Sequence, residues 1–174
     1  MEIYERAALS KGGLHGTRDN IVLYKEYQYS AHMNFIRKTM APVLLATIWI
    51  SISEFTRNEF LLKDAWTEHY RNLGLIFPSE PINGAIWGLW SLCFATAIFF
   101  ISRKFNLIQT TLLAWLMGFV MMWLVIGNLA VLPEGLLLVA VPLSFIEAFV
   151  AAFIITRISQ TKERPLKEQE SGLI

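Results

Sequence analysis

A glutamate stranded in an apolar run is the residue of this chain best placed to do chemistry. Glu147 follows Pro142 by five positions, and no lysine, arginine or histidine lies between Gly135 and Ile155. At about 1.5 Å of helical rise per residue it sits about 18 Å below the outer end of that run, at Gly135. Insertion scales set the cost of a charged residue at such depth at about 2.5–3.5 kcal/mol or more. Two uses would justify it. One is polar glue: a neutral glutamic acid hydrogen-bonded across a helical bundle to Ser91, Ser144 or the Trp87 or Trp90 indole. The other is a titrating, cation-binding group in a transport path lined by Trp87, Trp90 and Trp115. Transport sites gather more polar groups than this, so glue is the stronger expectation.

A second set stands near the opposite end of the apolar runs, where helical counting brings Glu54, Asn83 and Asn128 to similar depth, with Arg57 and Glu134 beside them. With His69 the first three would make an outer polar pocket. Simpler roles compete: Glu54 and Arg57, three apart, can pair on one helix, and Asn128 can cap or solvate a helix end. A lone histidine on an apolar face is ordinarily a packed residue bonded to a neighbour. No second histidine or cysteine lies close enough in sequence to make a metal site with it.

The remaining chemistry is thin. Cys93 is the single cysteine, which excludes a dithiol exchange enzyme, and no histidine falls within an apolar run, which excludes bis-histidine haem ligation. No HExxH helix or intramembrane Ser–His pair is present. No cofactor and no metal are expected, and an enzyme is disfavoured. A net charge near +1 gives no nucleic-acid signal.

The elements that would position these groups are four apolar stretches, at about 41–56, 82–102, 107–132 and 135–156. A hydrocarbon core about 30 Å thick takes about 20 helical residues, because every backbone polar group must be satisfied within the segment. Three of the stretches meet that length. The first is shorter and, with Arg37–Lys38 before it and Ser51 and Ser53 after, also has the outline of a cleaved signal, though a retained anchor is the favoured reading. The predicted fold is therefore all-α: an integral-membrane four-helix bundle, with Pro142 kinking the last span.

Basic residues flank the spans at Arg37–Lys38, Arg103–Lys104 and Arg157 to Lys167. These belong on the side where positive charge is retained, so both termini are expected in the cytoplasm of a multi-pass cell-membrane protein, read as bacterial and of the inner membrane. The connection between the first two spans carries Thr56 and Glu59 at capping-box spacing, with Gly74 to close a helix over about 57–73. Leu62, Ala65, Trp66, His69 and Leu73 share its apolar face, and Lys63, Asp64, Thr67, Glu68 and Arg71 the polar one, which predicts an interfacial helix.

Residues 1–32 are polar, Gly-rich near Lys11 and without a sustained period, and are expected to be disordered or an extension upstream of a start at Met33. Residues 158–174 are expected to form a flexible tail.

Helices in lipid associate through small residues that let backbones approach. Gly84, Gly88, Ser91 and Ala95 make such a stripe in the second span, and Ala140, Ser144, Ala148 and Ala152 in the fourth. In the third, an ideal wheel gathers Thr110, Thr111, Ala114, Gly118, Met121, Val125 and Asn128, leaving Phe119 and Trp123 for lipid. Membrane lipid is thus one expected partner, and a second copy or a larger membrane complex another. A structural or accessory bundle is the leading functional expectation. A proton-coupled carrier or channel-like protein using Glu147 comes second, and an enzyme acting on a lipid or quinone through His69 and Glu54 third.

Overall fold

A computed structural model describes residues 14–159, with side chains at Ile21 and from residue 23 onward. The described residues are all-helical, without strands. Four helical stretches are long and apolar enough to cross a membrane: Leu23–Leu61, Pro81–Ser102, Leu107–Asn128 and Leu137–Ser159. The expectations for residues 1–13 and 160–174 lie outside the described region.

The chain divides into two units, Met1–Arg37 and Lys38–Ile174. In the first, helix α1 spans Leu14–Phe35, where the sequence shows no sustained period. This corrects the expectation of disorder for 14–32. The helix has no apolar stripe to betray it, and its described side chains up to Met33 are all exposed.

In the second unit α2 (Ala41–Phe55) continues through a π-helical turn at Thr56–Leu61 and gives way to α3 (Lys63–Asn72). Then come α4 (Pro81–Ser102), α5 (Leu107–Trp115), a further π-helical turn at Leu116–Val120, α6 (Met121–Asn128) and α7 (Leu137–Ser159). Helix α2 packs on α4 and α7, α5 packs on α4 and α7, and α4 also meets α7. Pro81 opens α4, where its missing N–H costs nothing. Asn106 and Gln109 form a reciprocal capping box at the start of α5, with bonds of 3.0 and 3.3 Å.

The capping box expected at Thr56 and Glu59 is not formed. Thr56 lies inside a continuous helix, and Leu62, which bonds its N–H to the Arg57 carbonyl at 2.9 Å, stands before α3 without a side-chain cap. Helix α3 is therefore shorter than 57–73. It ends at Gly74, whose φ of 73° suits glycine. Lys63, Asp64, Glu68 and Arg71 are exposed, whereas Ala65, Trp66 and His69 are partly covered.

Buried positions show which faces pack. In α2 they are Pro42, Ala46, Ile50 and Glu54, and in α7 they include Ala140, Ser144, Glu147, Ala148 and Ala152. Ser91 and Ala95 of α4 are fully buried. Gly84 and Gly88 are not at a helix contact, since a Cβ built on either meets nothing within 4 Å. The stripe is buried only from Ser91 onward; Gly84 and Gly88 face a cavity instead.

The third span departs furthest from the ideal wheel. Thr110, Thr111 and Ala114 are buried, but the next buried positions are Phe119 and Trp123, while Met121, Val125 and Asn128 are exposed. The π-helical turn explains this: it adds about one residue to a turn, so the inward face steps from 114 to 119 rather than to 118. Gly118 still touches α4, its Cβ position lying 2.6 Å from the Phe94 ring.

Candidate functional site

The π-helical turn at Thr56–Leu61 carries the residue on which the site turns. Arg57 is buried at the foot of that turn, 5% exposed, with Glu54 one turn before it at 4%. One guanidinium nitrogen, Nη2, bonds Glu54 Oε1. The other, Nη1, reaches Glu147 Oε2 of α7 at 3.1 Å. Ser53 Oγ donates to the same Glu147 oxygen at 2.7 Å, and the Trp49 indole donates to the Glu147 backbone carbonyl at 3.1 Å. The guanidinium also lies over the Phe119 ring, 5.1 Å from its centre, so the π-helical turns at Thr56–Leu61 and Leu116–Val120 meet at one buried cation.

Glu147 is therefore neither unpaired nor bonded to the groups the sequence singled out. Ser144 receives the Trp115 indole at 3.0 Å, and Ser91 donates to the Trp87 carbonyl at 2.9 Å. The apolar runs offer no cation for Glu147; the structure supplies Arg57 from the π-helical turn that continues α2.

The network runs outward from there. Asn58 Nδ2 donates to Glu54 Oε2 at 2.7 Å and to the Glu54 carbonyl at 3.1 Å, and the Trp66 indole of α3 donates to Asn58 Oδ1 at 3.2 Å. Beside it opens a cavity of about 790 Å³, walled by the end of α2, α3, the connection to Pro81, the first turns of α4, α6 and the connection into the start of α7. Glu54, Arg57, Asn58, Trp66, Trp87 and Trp123 are among its walls, and Glu147 holds Arg57 from behind them.

Of the outer pocket expected from sequence, Glu54 and Asn83 share this cavity. His69 and Asn128 do not line it: His69 Nε2 is 3.0 Å from the Ala130 carbonyl, and Asn128 is exposed beyond the end of the packed face. That carbonyl is displayed by a residue in the left-handed region, with φ 57°. Helices α4, α5 and α6 flank a further groove of about 510 Å³, almost wholly apolar, in which Trp90 and Cys93 lie.

Chemically, the site holds two carboxyl groups on one guanidinium. Glu147 Oε1 is buried and has no donor. Ionised on both sides the group carries one negative charge in excess, which low-dielectric surroundings make costly. One proton, or one cation from outside, neutralises it. Among the described residues no group of three or more His, Cys, Asp or Glu could hold a metal ion. Set against protein-family models, curated proteins and solved structures, the chain matches none, so its function has to be argued from this geometry.

Proposed function

We propose that this chain is a small multi-pass carrier that exchanges a proton for a monovalent cation at Glu54–Arg57–Glu147. The observation that carries the reading is the charge balance: two buried carboxyl groups share one guanidinium, and a buried carboxylate oxygen lacks a donor. The group is neutral with one added positive charge and over-charged with two. Proton and cation therefore compete, and competition at one site is what exchange requires. In the proton-loaded form Glu147 carries the proton on Oε1, the oxygen that lacks a donor; a cation arriving through the cavity at Glu54 releases that proton to water.

In this reading the four spans form a bundle in a cell membrane, of the bacterial inner-membrane kind, with both termini in the cytoplasm. Helix α3 then lies at the outer interface with Trp66 and Tyr70 at headgroup depth. Proteoliposomes with a trapped pH dye provide the test. External alkali, guanidinium and quaternary ammonium cations are added in turn, and at least one is expected to drive protons out in the wild type and not in Glu147→Gln. Proton movement unchanged in Glu147→Gln, or absent in the wild type for every cation, rejects the carrier.

One observation favours a second reading, an accessory bundle. Gly84 and Gly88 have open space where a Cβ would point, a small-residue surface of the kind on which a helix of a second copy or of a larger membrane complex packs. It predicts that Gly84→Leu with Gly88→Leu dissociates an oligomer seen by light scattering in detergent. A protein that is monomeric before the change rejects self-association.

A further inference from the structure

Building on the exchange reading, we infer that the cavity between α2, α3 and α4 binds a monovalent organic cation with an aromatic or alkyl body. Its volume of about 790 Å³ is that of a small-molecule site, far larger than a bare ion needs. The walls are aromatic: Trp66, Tyr70, Phe77, Trp87 and Trp123 all contribute. Ring faces attract cations, and an organic cation, weakly hydrated, gives up water at less cost than a compact inorganic one.

The sign of the lining charge agrees. Glu54, Arg57, Glu59, Lys63 and Glu80 line the cavity. Lys63 is taken by Glu59 at 2.7 Å, and Arg57 by two carboxyl groups, which leaves the acids in excess. An anion would meet no uncommitted positive group there. A metal ion would need several oxygen ligands, yet both Glu54 oxygens already accept hydrogen bonds from Arg57 and Asn58. A delocalised cation asks for no such coordination: it needs ring faces and a nearby carboxylate.

Two probes of nearly the same size and shape but opposite charge decide the matter, tetraphenylphosphonium and tetraphenylborate. Each is titrated by calorimetry into the purified full chain in detergent, with an empty-micelle blank. Saturable binding of tetraphenylphosphonium is expected, at least about tenfold tighter than tetraphenylborate, and about tenfold weaker in Trp87→Ala. Where Trp87→Ala yields no folded protein, Tyr70→Ala carries the same comparison. Glu54→Gln is expected to narrow the preference between the two ions. Equal affinity for both ions, uptake no greater than the micelle blank, or unaltered binding in the aromatic variants overturns the inference. A dimer with no saturable binding also overturns it, because a second copy's helix would then fill the space. Equilibrium binding needs no exchange, so saturable phosphonium binding without proton release sinks the carrier and spares the site. Proton release driven by alkali ions without phosphonium binding does the reverse.

Discussion

Arg57 governs the buried charge, and its removal should be felt more than that of either acid. Arg57→Met leaves two carboxyl groups without a counter-charge, and breaking a buried pair from one side costs about 3–5 kcal/mol. The same change made with Glu147→Gln should cost clearly less than the sum of the two single changes, because the partners form one network. Denaturant unfolding in detergent of the two single variants and the double variant checks this; additive costs would mean that the three groups act independently. Glu147 was legible in the sequence because an acid among apolar residues is conspicuous. Its partners were not: Arg57 is 90 residues away and Ser53 is 94, and nothing local to either announces a carboxylate across the bundle.

The π-helical turns decide which side chains face inward along α2 and the third span. Deleting Met117 should restore a regular helix while keeping Phe119 under Arg57 and Trp123 on the inner face. Deleting Leu112, within regular helix, should rotate Thr110 and Thr111 away from that face. We expect the first variant to fold and the second to be much less stable, as judged by thermal unfolding in detergent. Glycines offer a finer test. Gly118→Ala places a methyl group 2.6 Å from the Phe94 ring and should cost about 1–3 kcal/mol, the range for overpacking. Gly88→Ala meets open space and should instead stabilise the helix by up to about 1 kcal/mol. An ideal wheel ranks these two glycines alike, since it assumes 3.6 residues per turn throughout and cannot register an inserted residue.

At the scale of the whole molecule, the proposed orientation makes α3 external and the Arg103–Lys104 turn internal. In a Cys93→Ser background, Glu68→Cys should react with a membrane-impermeant maleimide in intact cells, and Lys104→Cys only after permeabilisation. The opposite pattern would invert the topology. The existence and order of the four apolar helices, the polar face of α3 and the oddity of Glu147 were determined by the sequence alone, because hydropathy and amphipathic period are sums over neighbouring residues; the first helical stretch, Leu23–Leu61, is far longer than the 41–56 expected. The helical state of Leu14–Phe35, the π-helical register that turns Phe119 inward, and the union of Glu54, Arg57 and Glu147 were decided only in three dimensions. The last two depend on contacts between helices distant along the chain, and a guanidinium chooses its carboxylates by where folding brings them rather than by their spacing in sequence.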